Sequence, residues 1–277
     1  MVWDCKGSHL NIQVPLLVFG LLVASAAVWA QDKPTNLASA ANPFQELHEK
    51  TILVITPHPD DDIIGCGGAL AFLSGHRNRL IVVFLTAGEK GTFDPSAQVE
   101  TIRGTRMREA ASAYKTLGFP SAELIWLKYP DGELDFAPLR EIRVRLTEII
   151  RKQRPDIVFA LDPGATYYRY HYRDHRTAAL VSADAIGASM WPLEYPELGP
   201  AYQVPEVYYF YTAEPTLKLD VTAVYERKLA ALAQHRSQFP PAINHYTGEG
   251  PPPLRDDLEA SIRQTIGATT LELFRRR

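Results

Sequence analysis

The chain contains Thr51-Ile52-Leu53-Val54-Ile55, an apolar, largely β-branched run that leads through Thr56 and Pro57 into His58-Pro59-Asp60-Asp61-Asp62. Such a run predicts a buried strand, which places the charged residues at its carboxyl end. Neighbouring carboxylates repel one another and raise one another's pKa unless a cation neutralises them, and a histidine adds a nitrogen ligand. The segment therefore predicts a divalent metal site after the first strand.

Apolar runs with strand character alternate with helical patterns along most of the chain. The predicted strands cover residues 52–56, 80–86, 124–127, 157–161 and 207–211, and the predicted helices cover residues 64–73, 102–117, 139–152 and 175–186. This alternation is typical of βαβ units. It predicts the α/β class, with a three-layer α/β/α sandwich around a mostly parallel, Rossmann-like sheet. Such sheets bind ligands at the carboxyl ends of their strands.

The composition indicates an ordinary globular protein. With 277 residues, 46% of them hydrophobic and 22% charged, the chain has enough apolar material for one large core. We assign residues 31–46 to a polar linker and residues 47–277 to one catalytic domain. The net charge of −3 leaves no basic surface for DNA or RNA, so we expect no nucleic-acid partner.

The N-terminal segment is predicted to be a targeting signal. An apolar run extends from Val14 to Ala30 and stops before the polar Gln31. This pattern predicts that residues 1–30 are a signal peptide cleaved after Ala30, and that the protein is periplasmic or secreted. Because Lys6 is offset by Asp4, an uncleaved membrane anchor is the alternative, and only then would a membrane be a partner.

A second polar tract, Tyr167–His175, follows the predicted strand at residues 157–161 and contains two histidines, one aspartate and four tyrosines. Taken alone, it fits an aromatic surface loop with a histidine at a helix end equally well. Its position after another strand favours a site shared with the first segment. The candidate catalytic residues in this tract are Tyr170, His171, Tyr172 and Asp174.

The two segments together supply a set of metal ligands. His58, Asp61 and His175 offer two imidazoles and one carboxylate, the usual set for a catalytic zinc that keeps a position open to water. Iron, cobalt or another divalent transition metal suits the same ligands. A metal in such a site activates water for hydrolysis, and a neighbouring free carboxylate accepts the proton. We therefore predict Zn2+ as the cofactor and Asp60 as the general base.

These residues resemble the LmbE-like family, also called the PIG-L family, of metal-dependent de-N-acetylases, whose signature is a His-Pro-Asp-Asp-Glu segment after the first strand. The similarity runs from about Ile52 to Gln238. The further matches are Gly65-Cys66-Gly67-Gly68, Thr86-Ala87-Gly88-Glu89-Lys90-Gly91, Arg106-Met107-Arg108-Glu109, Tyr129-Pro130-Asp131-Gly132, Arg154-Pro155-Asp156-Ile157-Val158, Asp174-His175-Arg176, Lys228 and His235-Arg236-Ser237-Gln238.

The resemblance implies a role for each matched position. Asp60 is then the general base, and the metal ligands are His58, Asp61 and His175. Arg106 and Asp131 are implied to contact the substrate.

Two positions depart from the family pattern. Asp62 stands where the family usually has Glu, and Tyr172 stands where it often has the histidine that polarises the scissile carbonyl. Tyr170, His171 and Tyr172 are therefore rival candidates for the donor that stabilises the oxyanion.

The predicted function is that of a metal-dependent hydrolase that removes an N-acetyl or other acyl group from an amino sugar or glycoconjugate. Its partner is then a small molecule or glycan bearing an N-acetyl group. Two alternatives stay open: an amidase acting on another N-acylated small molecule, and a non-catalytic carbohydrate-binding protein on the same fold. A nucleotide-binding Rossmann protein is disfavoured, because Gly65-Cys66-Gly67-Gly68 lacks the Gly-x-Gly-x-x-Gly spacing and the preceding carboxylates would repel a pyrophosphate.

Overall fold

The computed structural model describes residues 42–92, 94–164, 173–238 and 270–277. Within these ranges seven strands form one sheet: β1 (Thr51–Thr56), β2 (Arg79–Phe84), β3 (Glu123–Trp126), β4 (Ile157–Leu161), β5 (Glu206–Phe210), β6 (Leu217–Asp220) and β7 (Leu271–Arg276). The helices are α1 (Asp61–Leu73), α2 (Val99–Leu117), α3 (Leu139–Gln153), α4 (Arg173–Ser189) and α5 (Tyr225–Leu232). Short 3-10 helices cover Leu134–Phe136, Pro196–Leu198 and Thr222–Val224.

The strand order across the sheet is β3-β2-β1-β4-β5-β7-β6. The first five strands in this order are parallel, whereas β7 runs antiparallel to both β5 and β6. The predicted α/β class and the mostly parallel sheet are confirmed. The antiparallel edge was not predicted, because β6 has only four residues and β7 carries Glu272, Arg275 and Arg276 among its apolar residues.

Side chains of β1 alternate between the two faces of the sheet, and this alternation creates the three layers. Ile52 and Val54 pack on the face covered by α1, α2 and α5, whereas Leu53 and Ile55 pack on the face covered by α3 and α4. All four side chains are buried. Full burial of each aliphatic side chain contributes about 1.5–3 kcal/mol, so a strand buried on both faces forms the centre of the core.

Several predicted features fall at the margins of the described residues or outside them. Phe44, which falls in the range that we interpret as a linker, is fully buried and packs against Phe159, Tyr208 and Phe274. The predicted signal and the tract 165–172 lie outside the described residues. Among the described helices, none combines the length and the apolar character needed to cross a membrane.

The topology brings the polar loops to one edge of the sheet. The strand order changes direction at β1. The strands β2 and β3 lie on one side of β1, whereas β4 and β5 lie on the other. At such a point the loops after adjacent strands diverge and leave a crevice at their carboxyl ends. The segment after β1, the loops after β2 and β3, and the start of α4 after β4 all meet there.

Candidate active site

The predicted metal ligands lie together at the carboxyl edge of the sheet. His58 and Asp61 follow β1, and His175 lies in the first turn of α4. His58 Nδ1 lies 3.0 Å from Asp61 Oδ2, and His175 Nε2 lies 3.2 Å from the same oxygen. The ligand atoms of the three residues all lie within 4.8 Å of one another.

These distances fit one small divalent cation. Metal–ligand bonds of about 2.0–2.1 Å in tetrahedral geometry place neighbouring ligand atoms roughly 3.4 Å apart. The two measured separations of 3.0 and 3.2 Å are close to that value. Although burial raises the pKa of Asp61, the adjacent His175 and His58 more than offset this and hold it well below its usual range. Asp61 therefore offers the ionised carboxylate that a metal needs.

The other nitrogen of His58 faces two further carboxylates. His58 Nε2 lies 3.1 Å from Asp131 Oδ1 and 3.3 Å from Asp174 Oδ2. Burial lowers the pKa of His58, but its hydrogen bonds to Asp131, Asp174 and Asp61 outweigh this effect and raise the pKa well above the ordinary value. The surroundings of the imidazole thus favour positive charge, whether a proton or a metal ion carries it.

Backbone amides hold these two carboxylates in place. Asp174 accepts hydrogen bonds from the amides of Gly132 (2.7 Å) and Leu134 (3.1 Å), one at each oxygen. Asp131 accepts one from the amide of Lys90 at 2.8 Å. Asp131 and Asp174 also form a second set of candidate ligands with His58 Nε2. Because backbone amides already hold both carboxylates, we interpret them as the groups that fix the ring and leave Nδ1 to a metal.

Asp60, the predicted base, stands next to this set in a strained backbone conformation. Its φ of 114° and ψ of −37° are rarely adopted by residues other than glycine. Burial raises the pKa of the Asp60 carboxyl to about 6, against the lowering effect of Arg106. Its side chain keeps 15% of its surface exposed. An accessible carboxylate that titrates close to neutral pH suits general-base chemistry.

Arg106 is buried beneath Asp60. Its guanidinium donates to the carbonyl of Gly88 (2.8 Å), to the carbonyl of Pro59 (2.6 Å) and to Asp60 Oδ2 (3.2 Å). Only 3% of the residue is exposed. The structure therefore places Arg106 where it holds Asp60, and its predicted contact with substrate stays a prediction.

Asp62, which replaces the usual Glu of the signature, is enclosed on the other side of the segment. Asp62 Oδ1 accepts a hydrogen bond from the amide of Asp60 at 3.1 Å, and Oδ2 accepts one from the hydroxyl of Tyr114. Burial and the charge of Asp60 raise the pKa of Asp62 to about 8. The shorter side chain thus still anchors the strained backbone at Asp60. Cys66 is buried and is not among the candidate ligands that the described residues offer.

Two side chains near the site were not predicted from the sequence. Tyr211 follows β5, stacks on His175 with ring centroids 6.0 Å apart, and donates a hydrogen bond to the carbonyl of Asp61 at 3.2 Å. Glu89 is buried and accepts a hydrogen bond from the amide of Asp131 at 3.2 Å. Both occupy strand-end loops, the same signal that identified the other site residues. The sequence pattern instead predicts a strand that includes Tyr211, and Glu89 belongs to a segment that matches the family.

The three rival oxyanion donors, Tyr170, His171 and Tyr172, lie outside the described residues. Their roles stay predictions. Asp174 and His175, which end the same tract, are the members that the structure places in the site.

Comparisons with known proteins point to one family of deacetylases. The family model described as GlcNAc-PI de-N-acetylase (PIG-L) matches residues 53–186. The diacetylchitobiose deacetylase of Thermococcus kodakarensis is 32% identical over 203 residues, which cover 72% of this chain and 73% of the relative. A deacetylase of 1D-myo-inositol 2-acetamido-2-deoxy-alpha-D-glucopyranoside from Rhodococcus erythropolis is 26% identical over 198 residues, which cover 64% of this chain and 66% of the relative.

A solved structure extends the likeness to the fold. The N,N'-diacetylchitobiose deacetylase of Pyrococcus horikoshii, in complex with its inhibitor MPG, superposes with a TM-score of 0.69 at 30% identity. The match covers 94% of this chain and 91% of that chain. With a relative above 30% identity over most of its length, and with the family's signature segment folded into a candidate metal site, the chain belongs to the PIG-L (LmbE-like) family of de-N-acetylases.

Proposed function

We propose that this protein is a zinc-dependent N-deacetylase that hydrolyses the N-acetyl group of an amino sugar or a short glycoconjugate. The observation that carries the proposal is the convergence of His58, Asp61 and His175 beside the partly exposed carboxylate of Asp60. The relatives support the substrate class, since those named above deacetylate diacetylchitobiose or an acetamido-glucopyranoside of inositol.

His58, Asp61 and His175 would hold the metal. When bound there, a divalent ion acts as a Lewis acid that acidifies water and polarises the amide carbonyl. Asp131 and Asp174 keep the His58 ring in the orientation that presents Nδ1. Asp60 accepts the proton that the attacking water loses, and it later delivers that proton to the departing amine nitrogen. Arg106 holds the Asp60 carboxylate in place during both transfers.

The experiment is acetate release from N-acetylglucosamine, N,N'-diacetylchitobiose and an N-acetylglucosaminyl lipid. The purified protein is assayed with zinc added and after the metal has been stripped by a chelator. We expect release from at least one of these sugars only when metal is present. Release that is unaffected by chelation would contradict the metal requirement. No release with zinc bound at one equivalent would direct the search to another N-acylated compound or to a binding role.

The Asp60→Asn variant tests the assignment of the base. It preserves the size of the side chain but not its capacity to accept a proton, so hydrolysis should be lost while zinc content is kept. Glu133→Gln is the matched control, because Glu133 is a half-exposed carboxylate near the site that pairs with Lys90. Full activity in Asp60→Asn would move the base to another residue.

We also propose that the protein acts outside the cytoplasm after cleavage following Ala30. Support comes from the apolar run that ends at this residue. Amino-terminal sequencing of protein exported by a bacterial host should begin at Gln31. Full-length chain in the membrane fraction would instead indicate an uncleaved anchor.

A further inference from the structure

Helix α1, which presents Asp61 and Asp62 in its first turn, is broken in its middle. Cys66 has φ −140° and ψ 15°, values outside the helical region, so the helix consists of two short segments that meet at this residue. A break inside a buried helix exposes amides and carbonyls that an intact helix would satisfy. These groups must find partners elsewhere in the core.

A buried ion pair supplies those partners. Glu272 of β7 accepts hydrogen bonds from the amide of Gly68 (2.7 Å) and the amide of Ala69 (2.9 Å), one at each oxygen. Lys228 of α5 donates to the carbonyl of Ile64 at 2.8 Å and to Glu272 Oε1 at 2.6 Å. An unbroken helix would join Ile64 O to Gly68 N. Each of these two atoms here bonds to one member of the ion pair.

The charges of Lys228 and Glu272 are opposite in sign to the partial charges at the two helix ends that they contact. The carboxylate meets the amino end of the second helical segment, and the ammonium meets the carboxyl end of the first. The side chains of Lys228 and Glu272 are only 6% and 2% exposed. Taking both charges out of water costs several kcal/mol each, so such a pair is a poor source of stability by itself. Its three hydrogen bonds to the break indicate another role.

The glycines around the break make room for this arrangement. A Cβ on Gly68 would lie 3.0 Å from Glu272 Oε1 and 2.4 Å from Val221 Cγ1, and one on Gly67 would lie 3.3 Å from Lys228 Cγ. On the opposite side, a Cβ on Gly65 would lie 2.2 Å from Phe210. The glycines of Gly65-Cys66-Gly67-Gly68 therefore allow the ion pair and the core to pack closely against the break. This packing explains the glycines without a nucleotide-binding turn.

We propose that Lys228 and Glu272 are positioning residues for the metal site. By holding the break in α1, the pair fixes the direction of the first turn of the helix and hence the place of Asp61 relative to His58 and His175. This inference rests on the proposed function, since it concerns the residues that would hold the metal. It predicts that the pair contributes to metal affinity beyond its contribution to folding.

The test compares zinc affinity and stability in matched variants, using competition with a chromogenic chelator and thermal unfolding of the metal-free protein. In Lys228→Met/Glu272→Met the two buried charges are removed together, so its stability should exceed that of either single variant. Its zinc dissociation constant should nevertheless rise about 10-fold or more, the usual effect of removing groups that orient ligands. Zinc binding as tight as in the unaltered protein would overturn the proposal.

Leu146→Ala is the control for stability. Leu146 is buried on α3, in the opposite layer from α1, and its truncation costs about 2–5 kcal/mol. It should leave the zinc dissociation constant unchanged, and an equal weakening in Leu146→Ala would show that stability alone explains the effect. Cobalt-loaded protein gives a second readout, because a displaced Asp61 changes the visible absorption bands.

Glu272→Gln covers the case in which the double variant does not fold. It keeps the size of the side chain and one acceptor oxygen but presents an amide group to a backbone donor, so zinc binding should weaken measurably. An unchanged dissociation constant in Glu272→Gln would overturn the proposal by itself. The two proposals fail in different ways. Absence of zinc binding in the unaltered protein would contradict the proposed function, whereas zinc binding that is equally tight in the unaltered protein and in the variants would contradict only the role of the ion pair.

Discussion

Asp60 combines three properties that general-base chemistry requires: a carboxylate, partial exposure, and a fixed position. The position is costly, because its φ of 114° is a conformation that side chains rarely adopt. Asp62 and Arg106 hold it there from two sides, through the backbone amide and the carboxylate respectively. The proposed activity therefore depends on the residues that hold Asp60 in place.

Arg106→Lys should lower kcat about 100-fold without loss of bound zinc, because a lysine cannot reach the Gly88 carbonyl, the Pro59 carbonyl and Asp60 together. The measurement is steady-state kinetics together with zinc stoichiometry. Arg108→Lys on the exposed face of the same helix is the control and should keep full activity. Zinc loss in Arg106→Lys would instead place the arginine among the determinants of metal binding.

Asp62 should make the stability of the metal-free protein depend on pH. Its pKa is raised to about 8 by burial and by Asp60, above the ordinary value of 3.8. The folded state therefore holds a proton that the unfolded state releases, so this contribution is complete below about pH 4 and is lost as the pH rises toward 8. Urea unfolding of the metal-free protein and of Asp62→Asn from pH 4 to 8 measures it. The unfolding free energy of the unaltered protein minus that of Asp62→Asn should fall as the pH rises from 4 to 8. Two curves of unfolding free energy against pH that stay parallel would contradict the prediction.

At the scale of one element, α1 shows how a helix can serve two purposes. Its first turn carries the acidic residues of the site, and its second segment packs in the core beneath the sheet. The break at Cys66 separates the two parts. Glycine has a low helix propensity. Its presence at positions 65, 67 and 68 therefore indicates that close packing outweighs helix propensity here.

The same substitution in two helices should therefore have opposite effects. Gly68→Ala introduces a Cβ 2.4 Å from Val221 Cγ1 in the core, and such overpacking costs about 1–3 kcal/mol, more than the gain in propensity. Gly187→Ala in α4 meets no atom within 4 Å and should stabilise the protein by up to about 1 kcal/mol. Chemical unfolding of both variants measures the difference. Equal effects would show that the core around Val221 relaxes freely.

At the scale of the whole molecule, the sheet order places carboxylates from distant parts of the chain around His58. Asp61 follows β1, Asp131 follows β3, and Asp174 lies in the first turn of α4 after β4. All three are buried. The residues that would hold the metal come together only in the folded chain, so the folded state should bind zinc in preference to the unfolded chain.

Removing the metal should therefore lower the melting temperature. At free zinc about 100 times the dissociation constant, binding contributes about 2.7 kcal/mol, or roughly 5–10 °C for a protein of this size. Differential scanning calorimetry with zinc and after chelation measures the shift. Asp61→Asn, which lacks the shared carboxylate, should show no response to zinc. A shift of the same size in that variant would place the bound zinc elsewhere.

The sequence by itself determined the central parallel strands and the residues that follow them. A buried strand has a local signature, as at Ile52–Ile55, and strand-end residues such as His58 and Asp61 belong to the same edge in any parallel sheet. The convergence of His58 with His175 could therefore be expected before the order of the strands was known.

Only the tertiary structure decided which distant groups hold these residues in place. Glu272 lies 204 residues from the amide of Gly68 that it binds, and its charge hides the strand character of β7. The sequence pattern alone predicts that Arg106 is a surface residue of a helix, but the loops after β1 and β2 cover it in the structure. Periodicity reports the burial of a segment, whereas a buried ion pair or a carbonyl-bound arginine depends on partners from other elements, and no local pattern encodes them.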